Sequence, residues 1–408
     1  MYEVDPKSTW LSAMGVTSMT GWRWRKNGII KTVIRVWLSW AALLLMAACS
    51  SHHGASEENP AFAVSIAEDY NRLFTREEGW TGADIATSLP LQDRRILWLF
   101  GDSWIGKVRN GRHTDSAMVH NTVAIQQGLD PAAARLEFFY HEKDGKPDAF
   151  IQPFDEPGEL WLSHGGIQTD RALYLFMSRI VNRPGDTSVW GFQAVGIVMA
   201  RITNSSEAVN RWHVEQIKVP WAEFHPPESE KVFGMPLLRE GHTVYLYGLE
   251  LDRASYDRYL LAGRANVNSL EDFSTWEFYT DGTWQHDFRK ASRLCNHMGA
   301  ELSVSYLPRF RRYVLVYTEN GLSDRILLRF AASPVGPWST AQTIYRTPEM
   351  TWDSSYFCYA AKAHPELSRQ DDELIVSYVC NANDFWKMAA DARIYRPKFL
   401  RLKFIKGS

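Results

Sequence analysis

Two aspartates, Asp84 and Asp102, stand out in the stretch Gly79–Trp104, GWTGADIATSLPLQDRRILWLFGDSW. Asp84 opens a strand expected around Ala83–Leu91, and Asp102 follows Gly101 at the end of the apolar run Ile96–Phe100. Acids on neighbouring strands can meet in space although far apart in sequence. Paired carboxylates in different environments are what hydrolysis of a glycosidic bond requires, one to protonate the leaving oxygen and one to activate water or attack carbon. The plainer reading is that both cap turns, where aspartate is common.

Other residues could join them. Glu301, in Gly299–Tyr306, would be a third acid, or a residue of the rim. Lys362 and His364, in Tyr359–Pro365, could be an ion-pair partner for a neighbouring acid and a core histidine, respectively. His364 could also hold an ion or water. Glu159 and His164 flank Trp161. Trp104, Trp161, Trp190 and Trp284 are candidates for sugar stacking, although most tryptophans in such a chain pack inside it.

The elements that would position these residues recur. Strongly apolar strands are expected at Ile96–Gly101, Ala172–Met177, Thr243–Gly248, Tyr313–Tyr317 and Glu373–Tyr378. Each is followed by a third strand, at Asn121–Ile125, Val195–Ala200, Tyr259–Gly263, Arg325–Arg329 and Ala392–Arg396. Fourth strands fit Leu136–Tyr140, Trp212–Val219, Trp276–Tyr279 and Gln342–Tyr345. The fifth unit has none, and Ala61–Ile66 is free to complete it. Four strands per repeat at this spacing predict an all-β fold, a five-bladed β-propeller closed by the N-terminal strand. First strands would then line the axis, bringing Asp84, Asp102 and Glu301 to one end with His364 close by.

The chain of 408 residues is 45% hydrophobic and 13% aromatic, with a formal net charge of −2, and so carries no nucleic-acid footprint. Residues 1–49 are expected to be a targeting segment. Basic residues from Arg23 to Arg35 precede the apolar run Val36–Ala48, which is short for a membrane span and ends at Cys49. This resembles a bacterial lipoprotein signal, which implies lipidation of Cys49 and anchoring to the cell envelope, the outer membrane in a Gram-negative cell. Residues 50–60 would be a tether and 61–408 the propeller domain. Of Cys295, Cys358 and Cys380, the last two could pair across neighbouring strands, although spacing alone does not decide it. No C-x-x-C or H-E-x-x-H pattern occurs, so no metal site is expected from motifs.

The segments Gly79–Asp84, Phe100–Trp104, His120–Thr122, Glu301–Val304, Gly336–Trp338 and Ala361–Pro365 together resemble five-bladed propeller proteins of the domain-of-unknown-function type 4185. That group includes bacterial endo-D-arabinofuranases and is structurally similar to glycoside hydrolase family 43. The resemblance implies catalytic roles for Asp84 and Asp102 and, more loosely, an acid role for Glu301. It leaves Trp104, Asn121, Trp161, Lys362 and His364 as candidate substrate contacts. The function expected is an exported glycoside hydrolase acting, as a monomer, on a cell-surface or dietary polysaccharide that could contain furanosides. The alternatives are a non-catalytic glycan-binding lipoprotein and a polysaccharide lyase. No cofactor is expected, although a structural cation near the axis is compatible with the fold.

Overall fold

A computed structural model describes residues 59–186, 191–224 and 229–405. Cys49, with the rest of the expected signal, and Trp190 lie outside the described residues. The described chain is all-β, with two short α-helices, α1 (Glu68–Phe74) and α2 (Phe385–Ala390).

Five antiparallel sheets follow one another along the sequence. Sheet I holds Thr87–Pro90, Ile96–Phe100, Thr122–Gln127 and Arg135–Phe139. Sheet II holds Glu159–Gln168, Leu173–Asn182, Phe192–Ile202 and Val214–Val219. Sheet III holds Ser229–Glu240, Thr243–Asp252, Arg258–Asn266 and Glu277–Thr280, with a short strand at each edge. Sheet IV holds Leu302–Leu307, Arg312–Thr318, Arg325–Ala331 and Gln342–Arg346. Sheet V holds Tyr356–His364, Glu373–Ala382 and Lys398–Ile405, and its fourth member is Ala61–Ile66.

The N-terminal strand therefore pairs where the sequence left a vacancy, with Ala61 opposite Ile405 and Ile66 opposite Leu400. Its partner overlaps the expected segment but begins later. Residues 392–396 are not a strand, and the third strand of sheet V is Lys398–Ile405. Tyr395 adopts a left-handed φ of 55°, and its backbone N–H donates to the Cys380 carbonyl, so this segment forms a turn over the sheet.

The second strands read as continuous apolar runs because both of their faces are buried. Side chains alternate along a strand, so neighbouring residues enter different cores. Leu97 and Leu99 pack against Leu173 and Leu175 of sheet II. Trp98 and Phe100 pack the other way, against Ile375 and Phe399 of sheet V. Tyr174 and Phe176 meet Val244 and Leu246. Tyr247 and Leu249 meet Leu315 and Tyr317. Val314 and Val316 meet Leu374 and Val376. Helix α1 places Tyr70 and Phe74 in the core shared by sheets V and I.

The first strands also touch in sequence. Thr87–Pro90 lies against the first strand of sheet II, II against III, III against IV, IV against V, and V against Thr87–Pro90 again. Residues from all five line one cavity of about 460 Å³.

One element was not expected. The hairpin Ser103–Val119 leaves sheet I between its second and third strands and pairs with Glu78–Ala83 in a separate three-stranded sheet. The strand expected over Ala83–Leu91 is consequently broken at Asp84.

Candidate active site

Asp84 and Asp102 occupy the corner where two chain segments cross from sheet I into the inserted sheet. The Asp84 N–H donates to the Asp102 carbonyl at 3.2 Å, and the Gly101 N–H donates to the Asp84 carbonyl at 3.3 Å. Ile85 and Ala86 turn the corner with φ of 70° and 48°, a left-handed conformation that is costly for a β-branched residue. Ala360, beside Tyr359, is left-handed too, at 58°.

Two glycines permit the close approach. A Cβ on Gly101 would stand 2.3 Å from Asp84 Oδ1, and one on Gly82 would stand 2.4 Å from the Tyr395 carbonyl oxygen. The glycines before both aspartates in GWTGAD and FGDS are thereby explained by space.

The Asp84 carboxyl is half-buried by surface area, yet protein surrounds it. Tyr359 Oη donates to Oδ2 at 2.9 Å, whereas Oδ1 is buried with no hydrogen-bond partner. Burial pushes its pKa well above the usual carboxylate value, and the charges of Asp102 and Glu301 push the same way. The Tyr359 and Tyr395 hydroxyls oppose this.

Asp102 is also raised by burial, but it has a cationic neighbour. His120 Nδ1 lies 3.3 Å from Asp102 Oδ1 and 2.9 Å from Glu159 Oε2. Burial alone would lower the pKa of His120; hydrogen bonds and charge from the two acids outweigh it and lift the value to about 10. The positive charge of His120 thus offsets part of the cost of burying the Asp102 carboxylate.

Glu301 directly precedes the first strand of sheet IV, and burial raises its pKa against the opposing charges of Lys362 and Arg258. Lys362 is buried, donates to Thr87 Oγ1 at 2.9 Å, and is lowered to about 8 by burial, with Glu301 and Asp84 countering. Asp84 therefore feels the charges of Asp102 and Glu301, and Lys362 those of Glu301 and Asp84. The 460 Å³ cavity adjoins this group through Lys362, but none of the three acids lines it.

The structure places the remaining candidates elsewhere. Asn121 is fully buried, donating to the Ile151 and Leu160 carbonyls and accepting from the Ile151 N–H, so it clamps sheet I to sheet II. Trp104 is packed between His113 and Phe385. His364 is 1% exposed, with one ring nitrogen on Ser88 and the other on Ser377. These three have no free surface for a substrate, and their expected contact role is corrected to a structural one. Trp161 is half-buried beside Phe192, with its indole N–H 3.4 Å from Glu159 Oε2. Trp284 lies on the short outer edge strand of sheet III under Arg264, away from the first strands.

Sequence reasoning missed His120 as a bridge, Tyr359, and Tyr395. His120 adjoins Asn121 in a segment already singled out, and its pairing with Asp102 and Glu159 requires the inserted hairpin. Tyr395 was read as part of a strand. Cys358 and Cys380 stand opposite each other and form a disulfide, which settles the pairing; Cys295 is free.

A family model described as a domain of unknown function, DUF5005, matches residues 67–404, and the chain belongs to that family. The resemblance to the 4185 type is not among these findings. No curated protein matches the sequence. A candidate hydrolase from Bacteroides ovatus ATCC 8483 has a similar fold, with 19% identity, 86% of this chain and 92% of that chain covered, and a TM-score of 0.66. A thermostable family-43 glycoside hydrolase aligns at 13% identity over 82% of this chain and 93% of that one, with a TM-score of 0.46. An endo-arabinase from Bacteroides thetaiotaomicron VPI-5482 aligns at 11% identity over 82% and 98%, with a TM-score of 0.41.

Proposed function

We propose that this member of the DUF5005 family is a five-bladed β-propeller glycoside hydrolase, exported and anchored through Cys49, that cleaves a cell-surface or dietary polysaccharide. The propeller reading is supported by the cyclic contacts of the five first strands and by the pairing of the first and last strands of the domain. Anchoring is supported by the sequence before Cys49 alone.

The observation that carries the enzymatic reading is the unequal pair of aspartates. Asp84 is raised well above the ordinary range, whereas Asp102 faces the His120 ring. Two carboxyls whose surroundings separate their proton affinities divide the acid and base roles. In this mechanism Asp84 carries the proton and donates it to the glycosidic oxygen as the bond to the anomeric carbon breaks. Asp102 takes a proton from water as the water oxygen bonds to that carbon, inverting its configuration. Glu301 and Lys362 set the local charge, and His120 orients Asp102.

The test is a screen of the full chain against a polysaccharide panel, furanoside-containing polymers included, with detection of new reducing ends. Release of reducing ends supports the proposal. Glycan binding without release, across the panel, replaces it with the binding-protein reading.

A further inference from the structure

Helix α2 presents aromatic rings that the mechanism above does not use. Trp386 is 77% exposed, more than any other large apolar side chain among the described residues, and Phe385 beside it is 39% exposed. Trp352, at 43%, precedes the first strand of sheet V, and α2 follows the second, where Tyr356 and Ala382 face each other. Of the four exposed Trp and Phe side chains among the described residues, these three therefore share one end of sheet V; the fourth is Phe154, before sheet II. A single exposed ring needs no explanation, but a cluster marks a surface that binds something.

That end of sheet V adjoins the aspartate corner by two routes. Trp104 pairs with Gly82, and two residues along each strand the Asp84 N–H meets the Asp102 carbonyl. The Trp104 ring lies 5.5 Å from that of Phe385, and the Phe385 ring 5.5 Å from that of Trp386, centroid to centroid. On the other route, Asn381, four residues before Phe385, donates to Tyr359 Oη at 3.4 Å, and Tyr359 donates to Asp84 at 2.9 Å.

The helix is held in place. Asp384 caps it, accepting from the Trp386 and Lys387 N–H groups at 2.8 and 3.3 Å, and Met388 is buried in the core shared by sheets IV and V. The Asn383 N–H donates to the Ser355 carbonyl. A ring fixed beforehand loses little freedom on binding. Asp353 and Lys387, the sequence neighbours of Trp352 and Trp386, pair at 2.8 Å, so charged groups interrupt the apolar surface. A sugar ring matches such a surface, with an apolar C–H face edged by hydroxyls; a lipid or protein partner calls for an unbroken apolar patch.

We propose that Trp386, flanked by Phe385, is a platform for a sugar ring of the polysaccharide, beyond the ring held at the aspartates. Two ring-to-ring steps separate Trp386 from Trp104, so the site takes a chain of several sugars rather than a single one. This rests on the carbohydrate reading of the site and not on cleavage.

Native gels cast with linear arabinan, xylan or β-glucan, each over a series of concentrations, read binding by the full chain whether or not the polymer is cut. At least one polymer is expected to retard the wild type. Trp386→Ala alters an exposed position and is expected to bind roughly 10-fold more weakly. Trp386→Phe keeps a ring and is expected to retain most of the retardation. Trp386-dependent retardation without new reducing ends in the panel screen supports the platform and overturns cleavage. Reducing ends together with equal retardation of Trp386→Ala and wild type overturn the platform and leave cleavage standing. No retardation of the wild type by any polymer, or a dimer in sedimentation velocity that Trp386→Ala abolishes, also overturns the proposal.

Discussion

Gly101→Ala tests the geometry of the aspartate corner without altering any titratable group. The added Cβ would lie 2.3 Å from Asp84 Oδ1 and 2.6 Å from Ile85 Cδ1. Restoring ordinary van der Waals separation requires a shift of about 1 Å. Ile85 is already held in a left-handed conformation, so the Asp84 carboxyl is the group that must yield. A 1 Å shift would stretch its 2.9 Å bond to Tyr359 beyond hydrogen-bonding distance. Misplacement on that scale costs roughly 100-fold in rate. Overpacking costs about 1–3 kcal/mol of stability, which leaves a large domain folded. The assay is kcat on whichever polysaccharide the panel identifies, with a urea titration to confirm folding. Wild-type turnover from a folded Gly101→Ala protein would refute the claim that the position of Asp84 matters to the chemistry.

Three further outcomes are expected. His120 has a folded pKa of about 10 against an ordinary 6.5, so its contribution to stability is fully present below about pH 6.5 and is lost as pH rises through 10; the urea midpoint of the wild type should fall more than that of His120→Gln between pH 6 and pH 10. Removing the Cys358–Cys380 disulfide, which spans 22 residues, should cost about 3 kcal/mol in denaturant unfolding with and without reductant, and an unchanged midpoint would show that the bond does not stabilise the fold. Cys49→Ala should abolish fatty-acid labelling and leave the protein unanchored, and labelling equal to that of the wild type would place the lipid elsewhere.

The strands were legible wherever burial was two-sided. Ile96–Phe100 and its counterparts show as apolar runs because alternate side chains enter separate cores. The first strands were legible by position alone, since they carry glycines and polar residues such as His164 and Lys362 that line a cavity. The third strand of sheet V was misplaced by a few residues because Ile394 and Tyr395 are apolar and buried without being in a strand. The inserted hairpin Ser103–Val119 escaped notice because its burial is mixed and its strands pair with Glu78–Ala83 rather than with the repeat.

The same contrast holds for the site. Asp84 and Asp102 were marked by nearby glycines, Gly101 leaving room for the Asp84 carboxyl and Gly82 for the Tyr395 carbonyl. The clamp formed by Asn121 and the enclosure of His364 depend on partners 30 and 13 or more positions away, which no local pattern announces. Trp104 faces the core rather than a ligand because His113 and Phe385, brought by the insertion and by α2, cover its ring.

The central claim is that Asp84 and Asp102 do the chemistry. It is tested most directly by kcat of Asp84→Asn and Asp102→Asn on the responsive polysaccharide, since the amide preserves shape and removes proton transfer. A fall of roughly 100-fold or more is expected in each variant, with folding retained. Wild-type turnover in both would make the pair structural and contradict the mechanism.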